Sequence, residues 1–306
     1  MEGFSHSNEE AFMKHNTSTL GYKILSGQLK ENRKHSEQLN KYLAGYLDAD
    51  GCVSITFKPY NGYYTPSLVF HFQQSLSVDS DGSLVKALRG FYELGNINYR
   101  DLIGQEDSSS VVTWTMGTHD FLKLFSLIRK HLRIKGTHWE NLVWLYNELK
   151  VFHLSKINIE ELKDFSKCSR KNSKWIKHPK HLSYAWLAGY LDGDGHYRFR
   201  QRRKYLKKDG KFCNSNELSI HLSCDINDKH IVSKLVEDFG GSIHLHKQGH
   251  LVWVRSLGKN SHSFATPFLK MLRKFSCLEK KYLVIDRMIQ FHNDHQQRLN
   301  MVDSKE

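Results

Sequence analysis

The sequence predicts an α+β fold made of two pseudo-symmetric αββαββα repeats with antiparallel sheets. The first observation is an internal repeat: LAGYLDADG (Leu43–Gly51) recurs as LAGYLDGDG (Leu187–Gly195), and the two segments differ at one position. The second observation is that the same order of predicted elements follows each copy. Self-similarity of this kind indicates a duplicated structural unit rather than two unrelated domains.

Each copy of the motif is followed by two runs in which apolar and polar residues alternate, a pattern typical of half-buried strands. These runs are Cys52–Lys58 and Ser67–Gln73 in the first copy, and His196–Arg202 and Leu218–Cys224 in the second. A helical stretch that ends near glycine comes next: Ser83–Leu94 and Asp228–Phe239. Two short strands come next, Asn96–Arg100 and Val111–Met116 in the first copy and Ser242–His246 and Leu251–Ser256 in the second. Two amphipathic helices then complete each copy.

This order of elements predicts where the chain divides. We expect a polar N-terminal extension over residues 1–36, a first repeat over 37–152, a charged linker over 153–180, a second repeat over 181–296 and a C-terminal tail over 297–306. The linker ends near Pro179, just before the second motif.

The charge balance indicates a polyanionic partner. The 306 residues include 45 Lys and Arg against 32 Asp and Glu, which gives a net charge of +13. Such an excess, spread over a surface, favours binding of nucleic acid. A membrane surface is the alternative partner, but the mean hydropathy of −0.56 and the absence of a long apolar stretch exclude a membrane-spanning protein. Five scattered cysteines without a C-x-x-C pair argue against a zinc ribbon or a disulfide scaffold.

The motif itself predicts a helix from Leu39 to Asp50, with Ser36 as its N-cap. Small residues four positions apart share one face of such a helix and would let two motif helices pack closely at an interface. These residues are Gly45 and Ala49 in the first copy, and Gly189 and Gly193 in the second.

Two acids stand near the end of each motif helix. Asp50 and Asp194 come last, and if the helices pair, their carboxylates suit a divalent cation for phosphate chemistry. Asp48 and Asp192, two residues earlier, are better placed to accept hydrogen bonds from backbone amides. A turn that merely ends a helix is the alternative for a single copy, but the second copy and the basic strands favour a metal site.

One face of the predicted strands is rich in basic and amide side chains, which suit phosphates and base edges. We expect this face to bind DNA through Ser54, Thr56, Lys58, His71, Gln73, Asn96, Asn98, Arg100, Arg198, Arg200, Arg202, His221, His244 and His246. Because the first copy offers Ser54, Thr56 and Lys58 where the second offers three arginines, the two halves should read unlike sequences.

The two motifs and the elements after them resemble the LAGLIDADG homing endonucleases in their single-chain, two-repeat form, over about residues 37–296. The resemblance implies a monomer shaped as a DNA-binding saddle, with the motif helices at the interface of the repeats. It implies Mg²⁺-dependent cleavage of both strands of a long, weakly palindromic double-stranded DNA site, leaving short 3′ overhangs, and Mn²⁺ is expected to substitute.

Site roles follow from the resemblance. Asp50 and Asp194 match the acids that bind metal, and Lys135 and Lys280 resemble the basic residues that border the metal site. Lys281 adjoins the second lysine, which leaves the register there open. Gln74 resembles a polar residue that orders active-site water, and its counterpart Cys224 departs from the pattern, so the two centres need not be equally active.

The same scaffold allows a second function, since some relatives act as RNA-splicing maturases and others as DNA-binding regulators. Host intron RNA would then be a partner. Presence of both motif acids favours the nuclease. The N-terminus lacks the apolar core of a secretory signal, so we expect an intracellular protein, either in a bacterial or phage-infected cytoplasm or in an organelle.

Overall fold

The computed structural model describes residues 19–25, 33–76, 82–100, 110–151, 181–201, 205–206, 212–213, 216–257 and 262–303. The chain forms two compact units, one over residues 27–180 and the other over residues 1–26 together with 181–306. The predicted linker over 153–180 lies outside the described residues, and the domain boundaries therefore stay predictions.

A short helix precedes the first repeat and belongs to the unit of the second. Helix α1 (Leu20–Leu25) packs against a later helix, His262–Phe275, and its Leu20 and Ile24 side chains are buried. These two residues are four apart and so share one helix face. Part of the predicted N-terminal extension therefore contributes apolar surface to the second repeat.

The first repeat contains four helices and four strands in the described part of the chain. They are α2 (Arg33–Asp50), β1 (Cys52–Tyr60), β2 (Tyr63–Ser75), α3 (Ser83–Tyr92), β3 (Asn96–Arg100), β4 (Val111–Met116), α4 (Thr118–Ile128) and α5 (Gly136–Leu149). The strands form one antiparallel sheet in the order β1-β2-β4-β3. Helices cover one face of this sheet, because Phe70, Trp114, Phe121 and Trp139 pack together as a buried aromatic cluster.

The second repeat has the same order of elements, with an added pair of short strands. Its elements are α6 (Tyr184–Asp194), β5 (Gly195–Gln201), β6 (Tyr205–Leu206), β7 (Phe212–Cys213), β8 (Asn216–Cys224), α7 (Lys229–Phe239), β9 (Ser242–Leu245), β10 (Leu251–Ser256), α8 (His262–Phe275) and α9 (Glu279–Asp303). Strands β6 and β7 are the added pair and form a separate two-stranded sheet. Its antiparallel sheet runs β5-β8-β10-β9, the counterpart of the first sheet. The predicted α+β fold of two αββαββα repeats is confirmed.

A buried tryptophan anchors each sheet in the same way. The indole Nε1 of Trp114 on β4 donates to the carbonyl of Leu94 at 2.7 Å, and that of Trp253 on β10 donates to Gly240 at 2.8 Å. Both carbonyls follow the helix that precedes the short edge strand. The shared hydrogen bond shows that the repeats are alike in detail as well as in element order.

The first motif helix and the first hairpin have boundaries that differ from the prediction. Helix α2 begins at Arg33, so Ser36 lies inside the helix and is not its N-cap. Strand β2 begins at Tyr63, because Asn61 and Gly62 adopt φ of 47° and 81° and close a two-residue hairpin. Positive φ at both central residues is the type I′ geometry that continues the twist of the flanking strands, so the pairing extends to the tip.

A buried histidine predicts a pH-dependent stability for the first repeat. Burial lowers the pKa of His131 to about 4, and the positive charge of Lys130 adds to the effect. Below about pH 6.5 the unfolded chain takes up this proton before the folded chain does, so stability should fall between pH 6.5 and 4, by at most about 1.4 kcal/mol per pH unit. Urea unfolding at pH 7 and pH 4.5 measures the change.

The matched variant for this prediction is His131→Gln, which cannot titrate. It should lose less stability between the two pH values than the wild type, whatever its stability at pH 7. An identical loss in both proteins would show that His131 does not cause the dependence.

Candidate metal site and nucleic-acid interface

Each motif helix ends on an exposed aspartate that is followed at once by a strand. Asp50 ends α2 and Asp194 ends α6, and both side chains are exposed. The next residue is glycine in both repeats, since a Cβ at Gly51 would lie 2.7 Å from the carbonyl oxygen of Leu47 and one at Gly195 would lie 2.5 Å from that of Leu191. The turn from helix to strand is therefore tight enough to require glycine, and it sets each carboxylate at the edge of its sheet.

A second, buried aspartate ties the end of the motif helix to a distant loop. The Asp48 carboxylate, 2% exposed, accepts hydrogen bonds from the backbone amides of Arg133 at 2.7 Å, Ile134 at 3.1 Å and Lys135 at 2.8 Å. Charge-assisted hydrogen bonds of this kind are among the strong ones. The expectation that Asp48 binds backbone amides is confirmed.

Asp192 does the same in the second repeat. Its carboxylate accepts from the amide of Cys277 at 2.7 Å, the amide of Leu278 at 3.2 Å and the hydroxyl of Ser276 at 2.7 Å. The loop held in this way joins α8 to α9, as the loop held by Asp48 joins α4 to α5. In both repeats the buried acid therefore positions the exposed one.

A lysine binds the turn between the motif helix and the first strand of the first repeat. The Lys135 Nζ donates to the carbonyl of Ala49 at 2.7 Å and to that of Gly51 at 2.8 Å. These carbonyls belong to the residues on either side of Asp50. The ammonium therefore lies beside the acid and at the negative end of the α2 dipole, where a cation is favoured.

In the second repeat the structure places Lys281, not Lys280, in the corresponding position. The Lys281 Nζ donates to the carbonyl of Gly195, the counterpart of Gly51. The loop residues whose amides bind the two buried acids correspond at an offset of 144 residues. By this offset the backbone position of Lys135 corresponds to Glu279. A lysine two residues after Glu279 therefore takes the place of Lys135 at the carbonyl. Lys280 is exposed and lines the rim of the adjacent cavity.

That cavity measures about 290 Å³ and lies at the end of α6. It is lined by Asp192, Gly193, His196, Tyr197, Lys280, Lys281 and Val284. Burial and the charge of Asp192 raise the pKa of Tyr197 well above its ordinary value, and the Lys281 Nζ lies 5.9 Å from the centre of its ring. The tyrosine hydroxyl therefore stays protonated beneath the lysine.

Strand pairing sets Gln74 and Cys224 in corresponding places. Cys52 pairs with His71 in the first sheet and His196 pairs with His221 in the second, so residues of β2 and β8 correspond at an offset of 150. Gln74 and Cys224 both lie on the helix-covered face and are 9% and 4% exposed. Burial raises the pKa of the Cys224 thiol to about 12, and its Sγ lies 3.7 Å from the Tyr190 hydroxyl. At this position the two repeats thus differ by an amide in the first and a neutral thiol in the second.

The opposite face of the first sheet carries the predicted polar residues. Pairing of Cys52 with His71, of Gln73 with Thr113 and of Thr113 with Asn98 puts alternate residues of four strands on one face. The residues of that face are half-buried or exposed at Ser54, Thr56, Lys58, His71, Gln73, Asn96, Asn98 and Arg100. The sequence contains no acidic residue from Cys52 to Ser75, so strands β1 and β2 carry no negative side chain.

The second sheet presents a corresponding face with more histidine. Arg198 pairs with Ser219, and His244 on β9 pairs with Val252. Hydroxyls orient two of the rings, since the Nε2 of His221 lies 2.8 Å from the Ser219 Oγ and that of His244 lies 2.9 Å from the Ser242 Oγ.

Two of the predicted DNA-binding residues of this sheet, His246 and Arg200, lie near strand ends. Strand β9 ends at Leu245, so His246 lies in the following turn, where its ring stacks on His250 at 4.3 Å between centroids. Arg200 lies within β5, paired with Glu217. Arg202 falls outside the described residues.

The small residues of the motif helices lie where the helix is least exposed. Gly45 and Gly189 are buried, and Ala49 and Gly193 are half-buried. Packing of the two motif helices on each other stays a prediction.

Comparison with known proteins identifies the second repeat. A family model described as LAGLIDADG endonuclease matches residues 187–292. The second repeat is similar to the LAGLIDADG endonucleases over these residues. The resemblance read from the two motifs is confirmed, and the strands of the first sheet have the same order as those of the second. No curated protein matches the sequence.

Solved LAGLIDADG structures share the fold over most of the chain. The meganuclease I-AabMI bound to uncleaved DNA is 16% identical with a TM-score of 0.62, over 85% of this chain and 92% of its own. I-GzeII in complex with its DNA target is 17% identical with a TM-score of 0.56, over 87% and 91%. I-SmaMI bound to cleaved DNA is 17% identical with a TM-score of 0.61, over 87% and 94%. At such identities the likeness shows the fold.

Two kinds of feature are absent from the described residues. No group of three or more His, Cys, Asp or Glu side chains in the described ranges could hold a metal ion. Within the same ranges, none of the helices combines the length and apolar character needed to cross a bilayer.

Proposed function

We propose that the protein is a site-specific homing endonuclease that acts as a monomer on double-stranded DNA. It hydrolyses both strands of a long, weakly palindromic site with the help of Mg²⁺ and leaves short 3′ overhangs. The observation that carries this proposal is the corner built in each repeat: an exposed aspartate, a lysine on the adjacent carbonyl and a polar sheet face beginning directly after them.

The residues fit a hard divalent cation whose coordination is completed by the substrate. Mg²⁺ commonly binds proteins through one or two carboxylates and fills its remaining positions with phosphate oxygens and water. Asp50 and Asp194 each offer one exposed carboxylate of this kind, which explains why a cluster of three side-chain ligands is not needed. When bound, the ion supplies polarisation of the phosphate and a water of lowered pKa. Mn²⁺, which prefers the same ligands, should substitute.

The remaining residues of the corner hold and complement the acid. The Asp48 and Asp192 carboxylates fix the helix ends, so the exposed acids approach a phosphate in a set orientation. The ammonium groups of Lys135 and Lys281 add positive charge beside them, which favours binding of phosphate oxygens and of the charge that develops during hydrolysis. Gln74 supplies an amide for ordering water in the first repeat, where Cys224 supplies a neutral thiol in the second.

Selection of cleaved sites from a random plasmid library, with Mg²⁺ or with EDTA, tests the proposal. We expect cleavage with Mg²⁺ alone, 3′ overhangs in the sequenced ends and two unlike half-sites. A selected site with perfect inverted symmetry would contradict the unlike half-sites. A protein that binds its selected DNA tightly but never cuts it would overturn the nuclease in favour of the DNA-binding regulator or maturase.

The two neighbouring lysines of the second repeat give a sharper prediction. Lys281→Met removes the ammonium from the carbonyl beside Asp194, and we expect the single-turnover cleavage rate to fall about 100-fold, as for loss of one electrostatic donor. Lys280→Met removes an equal charge from the rim and should cost less than about threefold, because an exposed charge is screened. Equal effects of the two substitutions would contradict the placement of Lys281.

A further inference from the structure

The first sheet ends in a tyrosine pair that the predicted DNA contacts did not include. Tyr60 is the last residue of β1 and Tyr63 the first of β2, and the two are directly paired across the Asn61–Gly62 turn. Directly opposite residues of an antiparallel pair hold their Cβ atoms about 4.5–5.5 Å apart, so the two side chains start from adjacent positions at the tip.

Strand register places both rings on the polar face. Counting back from the tip by twos, Tyr60 pairs with Tyr63, Lys58 with Thr65 and Thr56 with Ser67, down to Cys52 with His71. Alternate residues of a strand point to the same side of the sheet. The tyrosines therefore extend the face that carries Lys58, and they are 66% and 51% exposed.

The hairpin holds the pair in place before any ligand binds. The other face of the tip carries Pro59 and Pro66, whose rings fix the backbone φ and lack an amide donor. The type I′ turn at Asn61 and Gly62 is the tightest hairpin connection that matches strand twist. Two large exposed rings on such a rigid tip lose little conformational entropy when a ligand binds over them. Rigid aromatic side chains of this kind are typical of binding surfaces.

The chemistry of the tip suits a sugar–phosphate backbone. Tyrosine combines an apolar ring, which packs on deoxyribose, with a hydroxyl that donates to phosphate oxygens. Lys58 adds a positive charge on the same face, and the hairpin contains no acid that would repel a polyanion.

The position along the strand sets where on the DNA the pair would lie. Tyr60 follows Asp50 by ten residues, almost all in extended conformation. At about 3.3 Å per residue this is about 33 Å, and DNA rises about 3.4 Å per base pair, so the tip reaches about ten base pairs from the phosphate beside Asp50.

We infer that Tyr60 and Tyr63 form a paired anchor that grips the DNA backbone at the outer end of the half-site bound by the first repeat. The inference rests on the proposed function, because the DNA must lie along the polar face. It adds the length of the half-site and a contact that is independent of base sequence.

Binding of full-length protein to its selected duplex, measured by fluorescence anisotropy in EDTA, tests the anchor. Tyr60→Ala/Tyr63→Ala should weaken binding about tenfold, and Tyr60→Glu should weaken it at least as much because the new charge faces phosphates. The matched control is Tyr99, which is 59% exposed on the opposite face of the same sheet. Tyr99→Ala and Tyr99→Glu should bind as the wild type does.

Shortening the duplex locates the contact. Removing about four base pairs from the end bound by the first repeat should weaken DNA binding by the wild type. On this shorter duplex the wild type and the double alanine variant should bind with the same affinity. Wild-type affinity of the Tyr60 and Tyr63 variants on the full duplex, or an equal loss in the Tyr99 variants, would overturn the anchor while leaving the endonuclease intact. A wild type that selects no duplex at all would overturn both proposals.

Discussion

Replacing Asp50 by Asn should lower the rate of DNA cleavage by about 10³-fold or more, which corresponds to about 4 kcal/mol in activation free energy. Asn keeps the shape of the side chain but loses the charge that would bind Mg²⁺ beside the scissile phosphate. Affinity for DNA in EDTA should stay the same or increase, because a carboxylate that faces phosphates is repulsive without a metal ion. Single-turnover cleavage and anisotropy measure the two quantities separately.

Asp194→Asn in the second repeat should behave alike, since its corner has the same construction. Glu140→Gln is the matched control, because Glu140 is an exposed acid on α5 away from the sheet face. If either aspartate variant still cut both strands at nearly the wild-type rate, the assignment of that acid to metal binding would be wrong.

Replacing Asp48 by Asn should lower the free energy of unfolding of the first repeat by about 2–4 kcal/mol, because a buried carboxylate that accepts from three backbone amides is replaced by a group with only one acceptor atom. The new NH₂ group would face backbone N–H donors. Urea denaturation at pH 7 measures the loss. Asp50→Asn, two residues away and exposed, should unfold as the wild type does.

The second repeat offers a graded comparison. Asp192→Asn should cost less than Asp48→Asn, because one of its three partners is the Ser276 hydroxyl, which can rotate to accept a hydrogen bond from the new NH₂ group. A larger loss for Asp192→Asn, or no loss for Asp48→Asn, would contradict the role given to these hydrogen bonds.

Local patterns in the sequence predicted most of the fold. Strands β3, β4 and β10 have the predicted ends, because alternation of apolar and polar residues has a period of two that few other structures produce. The roles of Asp48 and Asp192 also followed from position, since an acid two residues before a helix end meets the loops that pack there. The predicted strands of the first hairpin stop short of its tip, although Asn61–Gly62 is a strong hairpin signal.

The second lysine could not be assigned from the sequence because its contact depends on tertiary geometry. Lys280 and Lys281 are neighbours on the first turn of α9, and the rotation of that helix decides which ammonium reaches Gly195. Helix α9 begins at Glu279, so both lysines of the second repeat lie inside it. Helix α5 begins at Gly136, so Lys135 lies directly before it. Spacing from the motif therefore could not choose between the two residues.

The hydrogen bonds of Asp48 also have a consequence for how the site assembles. They join residues that are 85 to 87 positions apart, so they close almost the whole repeat into one loop. Closing a loop of that length costs about 4 kcal/mol of chain entropy. In a partly collapsed chain these hydrogen bonds alone do not offset that cost. We therefore expect the corner to form late in folding, at the same moment as the sheet and its covering helices, and a nascent chain to carry its acids without the geometry to use them.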